Sequence, residues 1–155
     1  MKKEDLVYAA GFFDGEGCVS IGISRYENHF RYYLEMRIGQ AARDREICSW
    51  FKSKFGGIVV VNETKLNKKL KNEFEYDWRW GCGGGQIGLL FLKQLYPYLK
   101  LKKEQANLGI EFQEILSSYR GRPRLLEFEK IEKYSYYEAA KQEMHYLNRV
   151  FKRKY

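Results

Sequence analysis

Asp14 and Glu16 stand two residues apart, with Gly15 between them and Gly17 after, at the end of the run AAGFF (residues 9–13). Two carboxylates this close can serve a hard divalent cation. Mg²⁺ needs only one or two protein carboxylates and completes its shell with phosphate oxygens and water. The glycines admit either a positive φ or the close approach of another group. If residues 4–14 form a helix, both acids fall at its C-terminal end. The helix dipole is negative there and disfavours an uncompensated carboxylate, and a cation would reverse that penalty. The plain alternative is a helix terminus with glycine stop residues and solvated acids, and the acid pair by itself does not choose between them.

Other chemistry is easier to dismiss. The stretch GCGGGQ (residues 81–86) is glycine-rich but lacks the G-K-[ST] ending of a phosphate-binding loop, so it reads as a connection. His29 and His145 are isolated, and no Ser-His-Asp or Cys-His set is apparent. Cys18, Cys48 and Cys82 are odd in number and far apart, with no C-x-x-C pair. Neither a disulfide framework nor a zinc site follows, which fits a reducing compartment.

The elements that must position the acids follow from periodicity. In residues 4–14, Val7, Ala10, Gly11 and Asp14 make one small-residue face, and Leu6, Ala9 and Phe13 make a bulkier one. A helix with two non-polar faces is expected between two partners. Residues 18–26 alternate, with Val19, Ile21 and Ile23 on one side. A turn is expected at 27–29. Residues 30–40 alternate again, placing Tyr32, Leu34, Met36 and Ile38 inward. Residues 43–55 carry Ile47, Trp50, Phe51 and Phe55 at helical spacing, and Gly56-Gly57 ends that helix. A strand (58–64), a basic loop (65–73) and a strand (74–80) with Phe74, Tyr76, Trp78 and Trp80 inward form a second hairpin. A helix from 86 ends at Pro97, another spans 102–116, and a charged helical tail runs from about 124. The repeated α-β-β unit predicts an α+β fold, a four-stranded antiparallel sheet with helices on one face.

The chain of 155 residues has 28 Lys plus Arg against 20 Asp plus Glu, a formal charge of +8, which favours a polyanionic partner. Its 45% hydrophobic content is that of a folded domain. No apolar stretch is long enough to span a bilayer, and Glu4 and Asp5 interrupt the basic-apolar start that would otherwise resemble a signal peptide. The sheet face left open by the helices should carry Ser20, Ser24, Tyr26, Arg31, Tyr33, Glu35, Arg37, Glu63, Lys65, Asp77 and Arg79. Arg reads guanine and carboxylates accept from cytosine. Lys68 and Lys69, in the basic loop, suit phosphate. The bland alternative is that most soluble strands have one polar face. The tail, KQEMHYLNRVFKRKY, reads either as a solvated, frayed terminus or as an added phosphate clamp.

AAGFFDGEG resembles the signature of the LAGLIDADG homing endonucleases. Ala10-Gly11 matches its Ala-Gly, Phe12-Phe13 its hydrophobic pair, and Asp14-Gly15-Glu16-Gly17 its D-A-D-G. The element order is similar to the family's αββαββα unit, with a saddle-shaped sheet. LYPYLKLKKEQANL (residues 95–108) is similar to a segment of its chloroplast-intron members. The resemblance implies that Glu16 binds a catalytic Mg²⁺ and that the Gly15 carbonyl completes the shell. Mn²⁺ would substitute, and Ca²⁺ would bind without supporting cleavage. It implies that Gln40 is an active-site polar residue and that Lys102 lies near the scissile phosphates. Taken singly, Gln40 reads as a strand-end hydrogen bonder and Lys102 as a surface lysine. Where some relatives carry a basic group, this chain has Asp44, flanked by Arg43 and Arg45. The implied protein is one domain, with a core over about 4–117 and a basic helical extension over 118–155. It is an intracellular, cytoplasmic or organellar homodimer of the single-motif type, paired through Val7, Ala10, Gly11 and Asp14. It is an intron-type enzyme that cuts both strands of a long near-palindromic duplex across the minor groove, leaving 3′ overhangs. An intron-RNA-binding maturase and a non-catalytic DNA-binding regulator are the alternatives on the same fold.

Overall fold

The computed structural model describes residues 1–27, 29–42, 45–63, 76–119 and 125–154; the side chains of 40–42, 61–63, 76–78 and 151–154 lie outside that description. The order is α1 (Lys3–Glu16), β1 (Gly17–Tyr26), β2 (His29–Ala42), α2 (Glu46–Phe55), β3 (Ile58–Glu63), β4 (Tyr76–Gly83), α3 (Gln86–Leu95), α4 (Lys103–Ser118) and α5 (Glu127–Lys154). The strands form one antiparallel sheet in the order β1-β2-β4-β3.

Alternation decides which face is covered. Val19 and Ile21 on β1, Leu34, Met36 and Ile38 on β2, and Trp80 and Cys82 on β4 are all buried beneath the helices. α2 contributes Cys48, Phe51 and Phe55 to the same core, and α3 contributes Phe91, Leu92 and Leu95. The centre is aromatic. The Phe91 ring lies 4.9 Å from Trp80, 5.0 Å from Phe55 and 5.1 Å from Phe13, in tilted and edge-on arrangements that aromatic quadrupoles favour. The Trp80 indole N–H donates to the Gly56 carbonyl at 2.8 Å. That carbonyl belongs to the turn closing α2, where Gly56 and Gly57 take φ of 75° and 82°, a region that side chains rarely adopt. α4 lies close on the core at Gly109, where a Cβ would stand 2.9 Å from Leu92 and 3.1 Å from Val19.

Most elements differ from the sequence reading by a few residues at one end or the other; β4, for example, runs on to Gly83, so residues 81–83 are strand and not part of a connection. α2 starts at Glu46 rather than 43. α3 ends at Leu95, two residues before Pro97; Tyr96 keeps helical backbone and donates to the Leu92 carbonyl, but Pro97 has no N–H with which to continue the ladder. Residues 127–154 form α5 rather than a frayed terminus. Its Tyr137, Ala140 and Met144, at i, i+3 and i+7, are buried in the common core. Tyr137 packs edge-on against Phe112 of α4. The Tyr32 hydroxyl donates to the Glu138 carboxylate at 2.9 Å, and the Asn148 amide donates to the Val19 carbonyl on the edge strand at 2.9 Å.

Candidate active site and nucleic-acid face

α1 runs on past Asp14 to Glu16, and Gly17 leaves it directly into β1, its N–H donating to the Phe13 carbonyl. Neither Gly15 nor Gly17 has a positive φ. Gly17 serves close approach instead: a Cβ there would stand 2.3 Å from the Phe13 ring. The helix carries no basic residue in its last turn, so its negative end needs a cation from elsewhere.

Lys102 supplies it. Lys102 is 4% exposed, and its ammonium donates to the Asp14 carbonyl by a short hydrogen bond. The Asp14 side chain, 7% exposed, completes the joint in the other direction. Its carboxylate accepts from the backbone N–H of Lys100 at 2.8 Å and from that of Lys102 at 2.9 Å. The first acid of the motif is therefore a clamp on the segment that carries Lys102. Burial pushes the Lys102 ammonium below the usual lysine range, while Asp14, then Cys18 and Glu16, pull the other way.

The second acid is placed differently. Glu16 is exposed at the helix end, and Gly15 beside it is exposed with nothing within 4 Å of where a Cβ would lie. One carboxylate is thus held inside while its neighbour faces outward. Gln40 lies in β2 opposite Trp78, and its side chain is outside the described residues. No cluster of three or more His, Cys, Asp or Glu able to hold a metal occurs among the described residues. The oxygen donors at this helix end, an outward Glu16 carboxylate beside Gly15, suit a hard cation that takes one carboxylate here and the rest of its ligands from phosphate, water or a second chain.

Of the four residues expected to pair with a second copy, Val7 is 50% exposed and Gly11 is open, with nothing near a built Cβ. Ala10 and Asp14 correct the expectation: both are enclosed by the chain itself. The outward stripe of α1 is Val7, Gly11 and Gly15, at i, i+4 and i+8, flanked by exposed Tyr8.

The open sheet face is continuous with this end of α1. Cross-strand pairs put Cys18 beside Arg37, Ser20 beside Glu35, Gly22 beside Tyr33 and Ser24 beside Arg31. Arg37 and Glu35 form an ion pair at 3.6 Å. Tyr33 lies across Gly22, where a Cβ would come within 2.4 Å of its ring. Tyr26 stacks on His29 at the hairpin tip, with ring centroids 4.7 Å apart. Arg79 sits opposite Gly39 and Val60, and Asp77 holds the next position of that row, opposite Ala41 and Asn62. Glu63 departs from the expectation. Its register partner is Tyr76, which places it in the alternate row from Val60 and Arg79, and its side chain lies outside the described residues. Residues 58–61 (IVVV) are apolar at every position, so alternation within this strand does not show which set faces the helices. Lys65, Lys68, Lys69, Arg43 and Asp44 lie outside the described residues.

Sequence reasoning missed Lys100, whose main-chain N–H helps hold the site, and the open apolar positions on β3. The first has no local signal, since it depends on a contact across 86 residues.

Comparison with known proteins agrees with this arrangement. The LAGLIDADG endonuclease family model matches residues 9–78. The chain is 30% identical over 126 residues to the DNA endonuclease I-CreI of Chlamydomonas reinhardtii, covering 78% of this chain and 69% of that protein. Among solved structures, the homing endonuclease I-CvuI in complex with its target superposes with a TM-score of 0.73 at 19% identity, over 94% of this chain and 85% of that one. The archaeal intron-encoded homing endonuclease I-Vdi141I complexed with DNA gives 0.72 at 16% identity, over 95% and 86%. I-SmaMI bound to cleaved DNA gives 0.65 at 18% identity, over 88% of this chain but 42% of that one. With the motif at the end of α1 and a helix-backed sheet behind it, the chain belongs to the LAGLIDADG endonuclease family.

Proposed function

We propose that the chain is a site-specific DNA endonuclease of the intron-homing type, acting as a homodimer on a long near-palindromic duplex. The observation that carries this reading is the split of the acid pair. Asp14 is consumed in holding the Lys102 segment, and Glu16 is left outward beside a polar sheet face. One chain offers one free carboxylate at this point, and cutting two strands requires two, so a two-fold pair joined along Val7, Gly11 and Gly15 satisfies the count. The sheets would then follow the major groove on either side of the dyad. The two Glu16 carboxylates would face the minor groove between them, and cleavage across it leaves 3′ overhangs.

Glu16 and the Gly15 carbonyl would hold Mg²⁺, with Mn²⁺ substituting and Ca²⁺ binding without cleavage. When bound, such an ion supplies Lewis acidity at the phosphate. The protein's own groups do the placing. Asp14 fixes the segment, Lys102 offsets the negative end of α1 beside the reacting phosphate, and Arg31, Arg37 and Arg79 orient the duplex. The basic residues Lys68 and Lys69 contribute sequence-independent phosphate binding.

Glu16→Gln tests this. It keeps the side chain's size and removes the charge at an exposed position, so folding and DNA binding should persist. Plasmid nicking in Mg²⁺ should fall by several orders of magnitude. Near wild-type cutting by Glu16→Gln would refute the metal role. A wild-type chain that binds its preferred duplex but never cuts it in Mg²⁺ or Mn²⁺ would refute the enzyme.

A further inference from the structure

The open face of the sheet is not uniformly polar. Ile58 is 64% exposed and Val60 44% exposed, both on β3. Their neighbours in register show which face they occupy. Ile58 pairs with Gly81, which pairs with Arg37; Val60 pairs with Arg79, which pairs with Gly39. The alternate residue Val59 pairs with buried Trp80 and packs against the core. Ile58 and Val60 therefore stand in the same rows as the two arginines, on the solvent side of an antiparallel sheet, where polar residues are the ordinary solution. An exposed β-branched pair on an edge strand costs solubility and invites edge pairing. Something on that face must repay it.

We propose that Ile58 and Val60 read thymine, by covering its 5-methyl group in the major groove. This rests on the DNA reading above. The chemistry of the face argues for a duplex as the occupant. The apolar pair is continuous with arginines suited to guanine edges, and Gly81, between Arg37 and Ile58, leaves that row without a side chain in the middle. A major groove offers hydrogen-bonding edges and one apolar group, the thymine methyl. A surface that mixes Arg37 and Arg79 with Ile58 and Val60 in two adjacent rows matches that combination. The arginines report guanine, and the β-branched residues report the presence or absence of a methyl at neighbouring steps. The preferred target should therefore hold thymine at one or two fixed positions in each half-site, on the flank covered by β3.

The test uses the whole protein and synthetic duplexes. The preferred target is first selected from a randomised library. Each thymine is then replaced singly by deoxyuridine, which removes the methyl and leaves every hydrogen-bonding edge intact. Wild type should bind about fourfold more weakly for each methyl that it covers, at the one or two positions per half-site and nowhere else. The Ile58→Ala, Val60→Ala double variant should bind thymine and uracil duplexes alike at those positions. Both residues are exposed, so its thermal midpoint should match wild type. Uracil tolerated everywhere within twofold would overturn the proposal while leaving the nuclease reading intact. So would discrimination that survives in the double variant, or a variant that loses only self-association. Failure to select any duplex at all would instead overturn the DNA reading on which it rests.

Discussion

Asp14→Asn separates a clamp from a metal ligand and from a pairing surface. In the wild type, one buried carboxylate accepts two main-chain N–H donors, from Lys100 and Lys102. Hydrogen bonds to a charged partner contribute about 1.5–3 kcal/mol each, and leaving a buried donor unsatisfied costs about 1–3 kcal/mol. The amide keeps one acceptor oxygen and turns an NH₂ group onto the other N–H. The expected loss is therefore about 2–4 kcal/mol, out of the roughly 5–15 kcal/mol that typically separates folded from unfolded chains. Asp14→Ala forfeits both acceptors and should lose about 3–6 kcal/mol on the same reckoning. Urea denaturation without DNA reads the stability term. Single-turnover cleavage at saturating protein reads the positional one. A displacement of about 1 Å in the Lys102 segment should slow cutting by about 10²-fold, while affinity for the target stays within a few-fold. An Asp14→Asn chain within about 0.5 kcal/mol of wild type, the scatter of ordinary surface substitutions, would refute the clamp. A chain that keeps its stability and loses only dimerisation would return Asp14 to the pairing face.

Three further outcomes follow from the same geometry. Gly11→Leu adds a side chain where nothing of the chain itself lies within 4 Å, so the subunit should fold normally and sediment as a monomer. A variant that unfolds, or that stays dimeric, contradicts the stripe. Burial pushes the Cys82 thiol up to about 12, which leaves almost no thiolate at pH 8, and Cys48 is fully enclosed. Native protein should take up one equivalent of iodoacetamide, at Cys18, and three after denaturation, as counted by mass spectrometry. The buried Tyr137 hydroxyl finds no hydrogen-bond partner among the described residues. Tyr137→Phe should be neutral or stabilising by up to about 1 kcal/mol, and a loss above about 1 kcal/mol in thermal or urea unfolding would show that the hydroxyl is satisfied in solution.

The parts of the molecule that repeat with a short period were readable in advance. Leu34, Met36 and Ile38 announce the covered face of β2 by alternation, and Phe51 and Phe55 announce α2 by helical spacing. The motif residues also lie where the helical spacing put them, at the C-terminal end of α1. What escaped depends on distance along the chain. Ala10 and Gly11 are neighbours of similar size, and only the packing of α1 on α3 and the sheet decides that one is enclosed and the other open. The paired role of Asp14 and Lys102 needs a turn that lies far downstream of α1. In α5, Tyr137, Ala140 and Met144 are diluted among lysines and glutamates, so composition suggested a solvated tail while the stripe was already present. The register row of Glu63 was hidden because residues 58–61 (IVVV) are apolar at both parities, and a one-residue difference in parity moves every position to the other row.

The joint between Asp14 and Lys102 also sets the order in which the molecule becomes competent. Chains emerge N-terminus first, at about 5–20 residues per second, so the motif leaves the ribosome several seconds before the segment it must grip. Until residues 100–102 arrive, the end of α1 has neither its counter-charge nor its clamp. Contacts of such sequence separation form late, because loop closure precedes their reward. A truncated or still-growing chain can display the acids and yet not hold them, so cleavage competence arrives with the finished fold and not with the motif.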